Sequence, residues 1–348
     1  MPVKLVTWFE QNARDLPWRR SNDPYAVWVS EIMLQQTQVA TVIPYFERWM
    51  RAFPTVQSFA AAPREGTLKL WEGLGYYTRV ANAQRAAGEI VAKHGGRFPS
   101  KFEDILALPG IGRYTAGAIS SIAFGQPRPI LDGNVIRVLT RLFAIAGDPR
   151  EKSVNARLWE LAEKLVSTKG IDPSKLNQAL MELGALVCLP RQPQCDKCPV
   201  RGYCVAFRDG KVAMYPATAK RESATQRRFI ALVVKEQGKF LVRRRADGVV
   251  NAGLWEFPNL EIPVTTKNPM SLAAPFEITS AAPFLSFRHS ITRYRILLEA
   301  FHATRPEGTK SDGVWKTMSQ MKRLPFTAAH GRILKAVGAL LVNKASSK

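Results

Sequence analysis

Apolar positions over residues 1–210 recur every three or four places, the period of helices that bury one face. Residues 3 to 14 read as an amphipathic helix with Val3, Val6 and Phe9 on one side, ended by Leu16-Pro17-Trp18-Arg19. The pattern stays helical from Tyr25 to about Phe53 and again through residues 153 to 187. In between, Ile105 to Phe143 reads as a short helix end, the tight turn Leu108-Pro109-Gly110-Ile111-Gly112, and a helix opening near Arg113. A break at Pro127 and Pro129 follows, and Leu131-Asp132-Gly133-Asn134-Val135 opens the next helix. From Phe229 the character changes: FIALVV, then KEQGK, then FLVRRR predict a β-hairpin. GLWEFP, further strand-like segments and a closing helix around Ala328 to Val342 complete the chain. Residues 211–228 lack apolar periodicity and carry five basic residues against one acidic, which predicts a linker between a helical domain and a mixed one.

Length and charge sharpen this picture. At 348 residues, 46% of them apolar, the chain has material for two cores. Lysine and arginine number 50 against 28 aspartates and glutamates, a formal charge of +22 that suits a polyanionic partner. An anionic membrane surface would attract the same charge. However, no apolar run reaches the length of a bilayer span, and MPVKLVTWFEQNARDLPWRR lacks the core of a signal peptide. The expectation is a cytoplasmic protein that faces DNA.

Candidate chemistry gathers in a few stretches. Gly110 and Gly112 flank one apolar residue, allow backbone angles closed to other residues, and leave amides bare at the start of a helix, where the dipole favours a phosphate. Asp132 stands at another helix N-terminus, a place where aspartate also serves as an ordinary cap. Glu31 sits among Val27, Trp28, Ile32, Met33 and Leu34. It lies either on a narrow polar stripe or in surroundings that raise its pKa toward general acid work. Gly73-Leu74-Gly75 forms a turn before Tyr76 and Tyr77, with Arg79 close by, and an aromatic exposed on such a turn can wedge into a base stack. All four cysteines, Cys188, Cys195, Cys198 and Cys204, fall in one C-x6-C-x2-C-x5-C stretch. That grouping indicates a metal site rather than a disulfide framework, with structural zinc and an iron–sulfur cluster as the two readings.

LPGIG followed by the aspartate of LDGNV, together with SEIMLQQTQV and the cysteine spacing, resembles the helix-hairpin-helix DNA glycosylases of the endonuclease III superfamily. Within it the chain is similar to the adenine glycosylases, strongly over residues 1 to about 210 and more weakly beyond. The resemblance implies an α+β multidomain chain: an all-α helix-hairpin-helix glycosylase core over 1–210, with a [4Fe–4S] cluster loop at 188–204 held by the four cysteines. A basic linker over 211–228 and a Nudix-like lesion-recognition domain over 229–348 follow. The glutamate-rich helix that carries metal in true Nudix hydrolases is missing.

The resemblance implies hydrolytic excision of flipped-out adenine mispaired with 8-oxoguanine or guanine in double-stranded DNA, by a monomer in the bacterial cytoplasm, associated with the nucleoid. In that reading Glu31 is the acid, Asp132 the carboxylate under the sugar, Asn134 its orienting partner, and Tyr114 a neighbour of the pair. Trp18, Arg19 and Gln178 line the base pocket, Tyr76 and Gln36 reach the base stack, and Gly110 and Gly112 meet a phosphate. The family's Phe-Ser-His turn is matched by Ile291-Thr292-Arg293, where Thr292 keeps a hydroxyl able to accept from the N7–H of 8-oxoguanine. Two rivals stand beside it. An endonuclease III-type enzyme that cuts the backbone at oxidised pyrimidines uses a lysine where this chain has Tyr114, and a phenol cannot replace an amine in Schiff-base chemistry. A non-catalytic DNA-binding paralogue would be expected to lose one of the two carboxylates, and both are present.

Overall fold

The computed structural model describes residues 1–217, 223–273, 276–306 and 312–346. Residues 218–222 of the expected linker lie outside them, as do 274–275, 307–311 and 347–348 of the expected C-terminal domain. The chain divides into two compact units, Met1–Ala61 with Ala81–Lys220, and Ala62–Val80 with Arg221–Lys348.

Helices in chain order are α1 (Pro2–Asn12), α2 (Pro24–Leu34), α3 (Val39–Ala52), α4 (Val56–Ala60), α5 (Arg64–Trp71), α6 (Thr78–His94), α7 (Phe102–Leu106), α8 (Arg113–Ile122), α9 (Gly133–Leu142), α10 (Lys152–Val166), α11 (Pro173–Leu186) and α12 (Val205–Arg208). In the first unit α2 is the central rod. Asp23 caps it by accepting from the Tyr25 amide, Pro24 fits its first turn, and every residue from Tyr25 to Met33 is buried. A helix apolar on nearly all sides belongs inside a bundle, and α8, α9 and α11 share the adjoining core through Ala118, Val135, Leu139, Leu180 and Leu183. The helix expected from Tyr25 to Phe53 is two helices, broken at Gln35–Gln38, where Gln36 adopts a left-handed φ of 56°. The buried face of α1 is Leu5 and Phe9, four residues apart, whereas Val3 is exposed.

The second unit is built on β1 (Thr225–Glu236), β2 (Lys239–Arg244), β3 (Trp255–Glu256), β4 (Asn259–Ile262), β5 (Ser280–Ile291), β6 (Tyr294–Thr304) and β7 (Val314–Lys316). The sheet runs β3-β2-β1-β6-β5, with β4 on β1 and β7 on β2, and β1–β6 is the parallel pair. The expected hairpin is β1–β2, turning at Gln237-Gly238, both of positive φ. Side chains alternate across β1. Ala231 and Val233 pack with Phe287, Leu298 and the Ile333 and Val337 of α14 (Ala328–Ser346), which follows α13 (Met318–Arg323). Ile230, Leu232 and Val234 face the opposite core with Phe301. The helical period groups Ala62–Val80 with residues 1–210, yet in space this segment, α5 and the loop after it, belongs to the second unit.

Candidate active site

A cavity of about 550 Å³ opens within the first unit between α2, α8, α9, α11 and the turn Pro17–Arg19. Glu31 and Asp132 both line it. Glu31, 6% exposed, receives the Tyr114 hydroxyl on Oε2 at 2.7 Å. Burial pushes the Glu31 carboxyl up to about 7, and the nearby charge of Asp132 adds to the rise, while the Tyr114 bond and Arg19 oppose it. Burial keeps the Tyr114 phenol protonated and therefore a donor. Asp132 caps α9: Oδ1 accepts from the Val135 amide at 2.7 Å and Oδ2 from the Asn134 side-chain amide at 2.9 Å. Burial raises the Asp132 pKa, and these two donors hold it back. Capping and a place in the cavity are thus one arrangement.

Asn134 is itself held. Its Oδ1 accepts from Arg137 at 2.9 Å, and the same guanidinium donates to the carbonyls of Gly184 at 2.7 Å and Cys188 at 2.6 Å. Gly184 lets α11 meet α9 there, since a Cβ at 184 would stand 2.6 Å from the Asn134 Cβ and 3.0 Å from its backbone.

Trp18, buried and edge-on to Phe46, lines the cavity with Arg19, Gln36 and Gln178. Gln178 also donates to Ser174. Sequence reasoning missed Glu182 and Arg14. Glu182, 1% exposed, accepts both Arg14 (2.8 Å on each oxygen) and Arg19 (2.9 Å). Burial works against its charge, but hydrogen bonds from Arg14 and Arg19 prevail and hold the Glu182 carboxyl down at about 2. The cavity therefore has two carboxyls raised, Glu31 and Asp132, and a third, Glu182, fixed as an anion by two cations. Its signal in sequence was only a glutamate within an apolar helical run, LNQALMELGAL.

At the Leu108–Gly112 turn only Gly110 has the left-handed φ (78°), with Asn82 against the place of a Cβ. Gly112 is extended (φ −100°, ψ 176°) and N-caps α8 with open space around it, so the two glycines differ in what they supply. Tyr76 is 44% exposed with φ 45°, while Tyr77 is core. Arg79 lies over Trp71 and Tyr76 and donates to the Leu74 and Gly75 carbonyls. Thr292, φ 51°, occupies the first place of the two-residue β5–β6 turn, and its hydroxyl donates to the Ile291 carbonyl at 2.7 Å, leaving oxygen lone pairs to accept.

The four cysteines are free thiols lining one hollow with Val138, Leu142, Leu183 and Val200. Among the described residues no His, Cys, Asp and Glu side chains gather in threes as ligands of a single ion. Burial first, and the neighbouring Cys188, Cys204 and Cys195 with it, push the Cys198 thiol up to about 11. The Arg141 guanidinium lies 3.4 Å from the Cys188 sulfur, and the wall around the four sulfurs is otherwise largely apolar.

Residues 29–164 match the family model for HhH-GPD superfamily base excision DNA repair protein, and residues 229–336 match that for the NUDIX domain. Adenine DNA glycosylase of Rattus norvegicus is 35% identical, over 95% of this chain and 76% of its own length. That of Buchnera aphidicola subsp. Schizaphis graminum is 33% identical, over 89% of this chain and 91% of its own. Among solved structures, a thermostable thymine-DNA glycosylase superposes with a TM-score of 0.54 at 30% identity, over 60% of this chain and 95% of that one. A non-covalent endonuclease III–DNA complex superposes at 0.50 with 23% identity, over 60% and 94%, a likeness of fold alone.

Proposed function

The chain belongs to the adenine DNA glycosylases of the HhH-GPD superfamily of base excision DNA repair proteins, and on that premise we propose that Glu31 and Asp132 are the two carboxylates of its reaction. The base must leave the stack before its glycosidic bond can be reached. Trp18, Arg19 and Gln178 then hold the flipped adenine beside Glu31. A carboxyl poised near 7 carries a proton at working pH, and the Tyr114 hydroxyl on Oε2 leaves that proton to Oε1 for transfer to adenine N7. As the bond breaks, positive charge grows on the sugar, and the Asp132 carboxylate offsets it, aimed by Val135 and Asn134. Water adds at C1′ and gives its proton to a carboxylate, leaving free adenine and an abasic site. Tyr114 offers no amine, so strand cutting is not part of the reaction.

The observation that carries this reading is the hydrogen-bonded Tyr114–Glu31 pair sharing one cavity with Asp132. The substrate is duplex DNA with adenine opposite 8-oxoguanine or guanine, bound by a monomer in the bacterial cytoplasm. Gly110, Gly112 and the α8 N-terminus meet a phosphate, Tyr76 and Gln36 enter the stack, and Thr292 accepts from the lesion's N7–H. Cys188, Cys195, Cys198 and Cys204 would hold a [4Fe–4S] cluster through their thiolates, and the four residues would thereby be tied to one another just after α11.

The test is a single-turnover panel of duplexes carrying adenine opposite 8-oxoguanine, adenine opposite guanine, and an oxidised pyrimidine. Excision of adenine, fastest opposite 8-oxoguanine, with strand breaks appearing only after alkali, is expected. Rapid breaks at the pyrimidine without alkali would overturn it.

A further inference from the structure

Within the second unit, the loop that carries Tyr76 is tied to the C-terminal part of the chain by a short ladder along α5. Arg64 pairs with Asp247 at 3.1 Å, and Glu65 accepts the Trp255 indole N–H at 2.9 Å. Lys69 donates to the Leu324 carbonyl at 2.9 Å and to Glu72 Oε2 at 2.5 Å. Glu72 Oε1 in turn accepts the backbone N–H of Phe326 at 3.1 Å. Glu72 is the residue next to Gly73, where the loop begins, and Trp71 closes that loop from the other side by donating to the Gly75 carbonyl.

Phe326 continues the connection inward. It is fully buried, packs on Phe257, and shares a core with Phe287 of β5, four residues before the turn Ile291-Thr292. Both ends of this path are strained in the same way, with Tyr76 and Thr292 held at positive φ. Non-glycine residues persist in such backbone when their surroundings over-determine them.

We propose that Glu72 is a positioning residue for opposite-base discrimination: by fastening the Gly73–Tyr77 loop to Phe326, it makes the Tyr76 wedge and the Thr292 turn one body. The proposal rests on the reading of Tyr76 as the wedge and Thr292 as the lesion contact. A wedge free to move on its own enters any mispair equally, whereas a wedge fixed to the lesion contact enters best when that contact is made. Discrimination is then a coupling between two sites, carried by a named hydrogen bond.

The experiment compares Glu72→Ala, Glu72→Gln, Tyr76→Ala and the Glu72→Ala/Tyr76→Ala double variant on adenine opposite 8-oxoguanine and opposite guanine. Glutamine keeps an Oε1 acceptor for the Phe326 amide and alanine removes it. The ratio of the two single-turnover rates should fall severalfold, up to about tenfold, in Glu72→Ala, as for loss of one hydrogen bond, and should recover most of that loss in Glu72→Gln. The double variant should lose no more than Tyr76→Ala alone. Amide exchange in residues 73–79 should quicken in Glu72→Ala and not in Glu72→Gln. An unchanged ratio in Glu72→Ala while Tyr76→Ala is impaired, or losses that add in the double variant, overturns the proposal. Unimpaired Tyr76→Ala protein overturns the wedge reading as well.

Discussion

Replacing Glu31 by glutamine should make the protein inactive and more stable, with the gain confined to higher pH. Glutamine keeps the shape and an oxygen for the Tyr114 hydroxyl but cannot ionise. In the native protein the Glu31 carboxyl rises from 4.5 to about 7 because burial penalises its charged form. The sign follows from where the proton is held more tightly. Below pH 4.5 the carboxyl is neutral in both states and costs nothing. Between 4.5 and 7 the unfolded chain ionises first, so stability falls as pH rises, and above 7 the loss is complete. At about 1.4 kcal/mol per tenfold in proton affinity, the native protein at pH 8 is destabilised on the order of 3 kcal/mol by this one group. Removing it should therefore raise the melting temperature at pH 8 by roughly 6–12 °C for a domain of this size, and the difference should vanish by pH 4.5. Melting of the full chain across that range, beside single-turnover excision that falls at least about a hundredfold, reads both halves. Equal melting curves at pH 8, or a gain that is the same at every pH, would refute the assignment of a raised, proton-holding carboxyl.

Gly184→Ala should press a methyl into Asn134 and its backbone, costing about 1–3 kcal/mol and slowing excision more than tenfold; a wild-type rate would mean the α9–α11 approach does not aim Asp132. Thr292→Val should narrow the preference for 8-oxoguanine over guanine by about 1 kcal/mol, with little change opposite guanine, in paired single-turnover measurements. Equal losses on both duplexes would move lesion reading away from Thr292. Anaerobically purified protein should be brown and contain iron with acid-labile sulfide, and stoichiometric zinc without sulfide would end the cluster assignment.

What could be read from the sequence follows from what each residue depends on. Glu31 and Asp132 were legible because their settings are local: an apolar run around a glutamate, and an aspartate at the mouth of a helix. Whether Asp132 caps or faces the cavity was undecidable there, because the answer is both. Glu182 was hidden, since its meaning comes from Arg14 and Arg19, more than 160 residues away. The break between α2 and α3 had no glycine or proline to mark it, only Gln35-Gln36-Thr37-Gln38. The place of Ala62–Val80 was equally silent, because a helical period reports that one face is buried and not which neighbour buries it.

Gln36, Tyr76 and Thr292 share a backbone conformation that glycine adopts at no steric cost. A change to glycine at any of them would delete the side chain while relieving roughly 1 kcal/mol of local strain. Such alleles would not be cleared by the chaperones and proteases that remove unstable proteins. In a cell they would accumulate to normal abundance, and if the three side chains act on DNA as proposed, a screen that scores only loss of protein level or of melting temperature would pass them. Only a count of new mutations would reveal them.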